Sequence, residues 1–302
     1  MKMKQIEEQI ETEAQRMHLE NLIIGMARQT GRYIKKNALD IKNTKWKEID
    51  DPVTNLDKGA ERKIKNELKK HIIANYYGEE FGIEDNGSNI NIYTDPIDGT
   101  KSFIRGEYMS SLSIAADHNG ELFIGVVDDF MKGLTYYATS KGAYIKSART
   151  IKELPNINLE FSKPTVSFGW DIKIDKDVEK KINKRRQIGS IALAMAQLAS
   201  GSYDALVMKP YQKKGVTDTC DIAAGYYIMK QAGIEILDYH GKTFDYRDPG
   251  QGIIAYRKGK GIEQILSKDL HYILQRNDSN PSPAYRPDDN FKFGQKGECK
   301  EY

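Results

Sequence analysis

Cysteine is nearly absent from this 302-residue chain: Cys220 and Cys299 form no CxxC pair, which excludes a disulfide scaffold and suits a reducing compartment. Histidine is scarce as well, with five residues and no HExxH, so zinc sites of that kind are excluded. No apolar run approaches the roughly 20 residues needed to span a bilayer. Lys and Arg total 46 against 43 Asp and Glu, a net charge of +3, too small to argue for nucleic acid or a membrane surface. A Walker loop, GxGxxG and GxSxG are all missing, which argues against a nucleotide kinase, a dinucleotide enzyme and an α/β-hydrolase. The start, MKMKQIEEQIETEAQRMH, is polar and lacks a signal-peptide core, so a cytoplasmic location is expected.

What is present is enough chain for a sizeable core, as one large domain or two packed halves. Up to about residue 36, Ile6, Ile10, Ala14 and Met17, then Leu22, Ile23, Met26 and Ala27, recur at helical spacing. KNALDIKNTKWKEIDDPVTNLD is polar and broken and reads as a loop, while KGAERKIKNELKKHII resumes the helical period. SLSIAAD, LFIGVVDD, LTYYAT and GAYI, with the turn HNGE, read as an antiparallel meander. GSIALAMAQLASG reads as a helix ending at Gly201, and CDIAAGYYIMKQAG as one closed by Gly233. Residues 1–150 are expected to form an N-terminal α+β half and 151–276 a C-terminal α/β half. The polar, proline-containing stretch 277–302 reads as a disordered tail.

Acidic residues gather at element boundaries. Asp51 and Asp57 sit in DPVTNLD, Glu79 and Glu80 in YYGEEFG, Asp95 and Asp98 in YTDPIDGTKSFI, and Asp221 in TDTCDIAAG. Singly each has an ordinary reading: Asp57 and Asp221 as helix N-caps, Glu79–Glu80 as a solvated turn, and the Asp-Pro as the turn where a strand stops. Together, beside glycine, proline and threonine, they look like a site assembled from loops on a rigid scaffold. An all-oxygen ligand set points to magnesium. Magnesium beside amides at a helix start suggests phosphoryl transfer to water.

DPVTNLD, GEE, DPIDGTKSF and CDIAAGYYIMKQAG, in this order, resemble the four signatures of the inositol monophosphatase family, over about residues 5–257. The resemblance implies a magnesium-dependent, lithium-sensitive phosphatase, commonly a homodimer, with the layered α/β/α/β/α fold of the sugar phosphatases and mixed and antiparallel sheets. It implies that Glu80, Asp95 and the carbonyl of Ile97 hold a first metal, and Asp95, Asp98 and Asp221 a second. Glu79 is expected at a third, weaker one. Thr100 and Asp57 would activate the attacking water, and the amides of Gly99 and Thr100 would cradle phosphate. Asp98, Gly189, Ser190, Lys209 and Asp221 are expected around the substrate, and Lys47, or its neighbour Lys45, on a mobile loop.

The nearest rival, a haloacid dehalogenase-type phosphatase, would need carboxylates at i and i+2, on one strand face. The i, i+3 spacing with its proline argues against it. A family member that binds metal without turnover is the alternative outside enzymes. Inositol-1-phosphate is the first candidate substrate. The stretch DALVMKPYQKKGVTDTCD lacks the glutamate that contacts inositol in animal-type members, and Cys220 stands where the family has tryptophan. Its Lys209, Lys213 and Lys214 suit a second anionic group, which keeps fructose-1,6-bisphosphate in view, beside histidinol phosphate and adenosine bisphosphate.

Overall fold

The computed structural model describes residues 12–38, 44–48, 51–157, 162–169, 172, 174, 176–209 and 216–259. Helix α1 (Glu13–Lys36) starts on a capping box between Thr12 and Gln15. Its buried stripe runs through Leu19, Ile23, Met26, Ala27, Thr30 and Ile34, the spacing of a core-facing helix. The stripe begins later than expected: Ala14 is exposed, Met17 is 40% exposed, and Ile6 and Ile10 lie outside the described residues. Helix α2 (Asn55–Leu68) starts on a second capping box, Thr54 with Asp57, and buries Ala60, Ile64 and Leu68.

The segment expected as a loop before α2 contains an antiparallel hairpin of β1 (Thr44–Glu48) and β2 (Asp51–Thr54), in the register Lys45↔Val53. Such polar strands are held by backbone hydrogen bonds, which side-chain periodicity does not announce. Pro52 is tolerated because a strand edge need not donate.

An eight-stranded sheet follows, in the order β10-β9-β8-β7-β6-β5-β3-β4. Its strands are β3 (Asn75–Gly78), β4 (Gly82–Glu84), β5 (Ile90–Asp98), β6 (Ser111–His118), β7 (Glu121–Asp129), β8 (Leu134–Thr139), β9 (Gly142–Lys146) and β10 (Ile151–Glu153). The meander is as expected, and only the β3–β5 pair in this sheet is parallel. A five-stranded mixed sheet, ordered β12-β11-β13-β15-β14, joins β11 (Thr165–Phe168), β12 (Lys184–Arg186), β13 (Ala205–Met208), β14 (Glu235–Leu237) and β15 (Ile253–Tyr256). The remaining helices are the short α3 (Thr100–Ile104), α4 (Lys176–Lys181), α5 (Ile191–Ser200) and α6 (Val216–Gln231).

Strand alternation divides the core among layers. Leu112, Ile114 and Ala116 of β6 face α1 and α2, while Ala115 faces the layer of α5 and α6. On the second sheet Leu206 joins that middle layer, and Ala205 and Val207 pack with Val178 of α4. The order is therefore α1/α2, large sheet, α5/α6, small sheet, α4: the expected α/β/α/β/α architecture. The middle layer is rich in alanine, which lets helix and sheet approach closely. At Gly125 of β7 an added Cβ would lie 2.7 Å from the carbonyl oxygen of Ala224 in α6.

Two expectations about the acidic motifs are corrected here. Strand β5 does not stop at Asp95-Pro96 but runs on to Asp98, through an irregularity between a pairing Asp95↔Ser113 and a pairing Asp98↔Ser111. A bulge takes up the proline, which has no N–H to pair. Helix α6 begins at Val216, so Asp221 lies inside the helix and not at its N-terminus.

Candidate active site

Strand parity decides which carboxylates meet. In β3, Tyr76 belongs to the core beneath α1 and α2, and Tyr77 packs on the opposite side, against the middle layer. The amide of Glu79 still donates to the carbonyl of Thr94, at 3.2 Å, so the strand's alternation continues past Gly78. Glu79 thus follows Tyr77 toward α6. On β5 the same alternation sends Tyr93 and Asp95 to that side. The bulge then returns Asp98 to it as well, because its partner Ser111 shares a face with Ser113. A spacing of i, i+3 becomes a same-face pair.

The carboxylate oxygens of Glu79, Asp95 and Asp221 consequently lie within 4.8 Å of one another. Glu80 was expected beside Asp95 on the first metal, with Glu79 at an accessory one; the carboxylate group formed with Asp95 contains Glu79 in its place. Glu80 is not in the carboxylate group, and its amide donates instead to Glu61 of α2. The part of α6 that carries Asp221 is fixed above β3 and β6 by two bonds: the Cys220 thiol donates to the carbonyl of Tyr77 at 3.1 Å, and Ser113 Oγ donates to the carbonyl of Cys220 at 2.9 Å. Burial pushes the Cys220 thiol well above its ordinary pKa, so it serves as a neutral donor.

Asp98 is anchored by the other middle helix. Its Oδ2 accepts from Ser190 Oγ at 2.6 Å and from the amide of Ala192 at 2.7 Å. Ser190 is also the N-cap of α5, accepting from Leu193 N. Gly99 follows with φ +84°, a left-handed conformation that favours glycine. A Cβ there would also lie 3.0 Å from both the Gly189 carbonyl carbon and the Met109 carbonyl oxygen. Gly99, Gly189 and Ser190 are thus brought together.

Thr100 Oγ1 stands 2.9 Å from the carbonyl of Ile97 and 3.3 Å from Asp57 Oδ1. The other oxygen of Asp57 accepts from the Thr54 amide, at 2.9 Å, and from the Thr54 hydroxyl. Asp57 is the third residue of the helix and closes the capping box, and is not the N-cap itself. Burial raises its pKa above the ordinary aspartate value, opposed by the bonds from Thr54.

The donor set fits a hard divalent cation, since crowded carboxylate oxygens need a positive partner. Burial first, then the charges of Glu79, Asp221 and Asp98, raise the pKa of Asp95 well above its ordinary value. Burial pushes Asp98 up to about 7, opposed by the bonds from Ser190 and Ala192. A carboxyl whose pKa is higher folded than unfolded makes the folded state bind more protons. Stability then falls as pH rises from about 4, the ordinary Asp value, toward that of the folded state. Metal-stripped protein is expected to melt higher at pH about 5.5 than at about 8, with a divalent cation restoring more at the higher pH. A metal-free melting temperature that climbs over this interval would refute the assignment.

The exchange of the two glutamates has its own test. Glu79→Gln is expected to raise the metal concentration for half-maximal activity by more than about tenfold, a factor that loss of a mere supporting contact can already reach. Glu80→Gln should shift it by less than about threefold, since its carboxylate is outside the group of Glu79, Asp95 and Asp221. A larger shift in Glu80→Gln would restore the original order.

Lys209 follows β13, half-buried. Lys213 and Lys214 lie outside the described residues, and Lys45 and Lys47 fall on β1, whose side chains are outside them too. Glu61 had no place among the expected site residues. Its signal was present in the sequence as the residue one turn beyond Asp57, on the same helix face.

The sequence pattern of the "Inositol monophosphatase family" matches residues 15–272. The chain is 34% identical over 207 residues to a fructose-1,6-bisphosphatase/inositol-1-monophosphatase of Thermotoga maritima, covering 67% of this chain and 75% of the relative. It is 31% identical over 266 residues to the Nus factor SuhB of Vibrio cholerae, covering 82% and 93%. The solved structure of a Thermotoga maritima IMPase superposes with a TM-score of 0.71 at 28% identity, over 85% of this chain and 98% of that one. Among the described residues no helix is long and apolar enough to cross a membrane. With the layered fold, the carboxylate group and the Thr100–Asp57 pair all in place, the chain belongs to the inositol monophosphatase family of phosphatases.

Proposed function

We propose that this chain is a magnesium-dependent phosphate monoester hydrolase acting on a small phosphorylated polyol or sugar, with inositol-1-phosphate as the first candidate. The observation that carries this reading is the Thr100 hydroxyl, 3.3 Å from Asp57 Oδ1, beside the group of Glu79, Asp95 and Asp221. Those three carboxylates, with Asp98, would hold the magnesium. When bound, it supplies Lewis-acid stabilisation of charge on the phosphoryl group.

The chain's own residues supply the rest. Thr100 Oγ1 accepts a proton from the attacking water while passing its own to Asp57 Oδ1, a relay that leaves the hydroxyl unchanged and the carboxyl protonated. The raised pKa of Asp57 makes it a better acceptor than an exposed carboxylate. Amides of Gly99 and Thr100 would receive phosphate oxygens. Gly189 and Ser190, packed behind them, keep that turn and Asp98 in place.

A bisphosphate is the second reading, favoured by the name of the Thermotoga relative, which joins both substrates, and by the cationic Lys209. Phosphate release with magnesium should be measured over inositol-1-phosphate, fructose-1,6-bisphosphate, histidinol phosphate and adenosine bisphosphate, with and without lithium. Release from the first, inhibited by lithium, is the expected result. No release from any, despite bound metal, would leave a metal-binding protein without turnover.

A further inference from the structure

We propose that Glu61 is a positioning residue that fixes Glu79 at the metal site by clamping the backbone behind it. Glu61 is 3% exposed, and it spends both carboxylate oxygens on the turn after β3. Oε2 accepts from the amide of Glu80 at 2.7 Å, and Oε1 from the amide of Phe81 at 3.1 Å. On the other side, the Glu79 amide donates to the carbonyl of Thr94, the residue before Asp95. The peptide carrying Glu79 is therefore held from both flanks. One hold comes from the strand of Asp95, and the other from the helix of Asp57.

The need for a clamp follows from charge. Glu79, Asp95 and Asp221 bring three carboxylates together, and without a cation their mutual repulsion opposes that placement of Glu79. Two charge-assisted bonds to successive amides hold it there more firmly than neutral ones would. Gly78 completes the fit: a Cβ there would overlap the Glu61 carboxylate, so the strand end must be glycine for the clamp to close. Glu61 touches no substrate in this scheme. It acts through the direction of the Glu79 Cα–Cβ bond.

The inference rests on the metal-dependent phosphatase reading, and its test separates the two. Glu61→Gln keeps the shape but replaces one acceptor oxygen by a donor facing an amide. Gly78→Ala keeps the Glu61 charge but displaces its carboxylate. In the full-length protein, Mn2+ binding would be followed by the magnetic resonance signal of the free ion, and Mg2+ binding by calorimetry. Both variants should bind about 10–100-fold more weakly, the range seen when a group orienting a ligand is lost. At saturating metal the substrate KM should stay near the wild-type value, a split that general unfolding would not give. If wild type binds and hydrolyses while Glu61→Gln binds metal equally tightly, the clamp is overturned and the functional reading stands. If Glu61→Gln weakens binding but a folded Gly78→Ala does not, the effect is one of charge and the positioning role falls. If wild type binds neither ion, the functional reading fails and takes the clamp with it.

Discussion

Asp95→Asn is expected to cut phosphate release by about 10²–10⁴-fold, the equivalent of the several kcal/mol that a bound cation contributes to a phosphoryl transition state. Asp95 is 2% exposed and shares its oxygens' neighbourhood with Glu79 and Asp221, so its loss removes a charge from the centre of the group. The fold should survive. The Ile97 amide donates to Asp95 Oδ1 at 2.9 Å, and the side-chain oxygen of asparagine accepts equally well. Without metal, the variant should melt at or above the wild-type temperature near neutral pH, because one member of a repelling group has gone. Turnover close to wild type at low magnesium would sink the assignment of Asp95.

Thr100→Ala should lower kcat by about 10²–10⁴-fold with little change in KM, the range for a positioned proton-transfer group. Asp57→Asn should lose a similar factor, and the double variant little more, since a relay broken once cannot be broken again. Stability separates the two. Asp57 also accepts from the Thr54 amide in the capping box of α2, so its replacement by alanine should cost about 1 kcal/mol of stability, as cap losses do. Thr100→Ala leaves that box intact. Losses that multiply in the double variant would exclude a shared proton path.

Some of this was legible in the sequence, for reasons that particular residues show. Helix α5 could be read end to end because Ser190 caps it and Gly201 closes it in a left-handed conformation, both written in single residues. The meander from β6 to β9 was legible because its apolar runs are short and are separated by turn residues such as Asn119-Gly120. What escaped depends on two strands at once. The bulge in β5 is a mismatch between Asp95–Asp98 and Ser111–Ser113, and neither strand contains it alone. The exchange of Glu79 and Glu80 turned on whether pairing outlasts Gly78, which only the Glu79 amide's bond to Thr94 decides. Glu61 was marked only by its place one turn beyond Asp57, because the partners it recognises are backbone amides, which have no side-chain signature. The start of α6 was misread because Cys220-Asp221 looks like a cap, while the helix begins earlier at Val216.

The contact between Gly125 and the Ala224 carbonyl sets the clearance of α6 above the large sheet, as a shim sets the gap of a valve. Asp221 rides on that helix less than one turn before Ala224, whereas Glu79 and Asp95 ride on the sheet. The aperture between them is thus governed from a strand that carries none of the three. A methyl group added at Gly125 would have to raise the helix, because the atom it meets at 2.7 Å is backbone and cannot rotate away. Gly125→Ala should cost about 1–3 kcal/mol of stability by overpacking and weaken magnesium binding together with it. A variant that loses stability but binds magnesium as tightly as wild type would show that the gap is adjusted elsewhere. Weakened binding in Gly125→Ala would instead make selectivity for an ion of given radius tunable by small residues in a buried interface that no ligand touches.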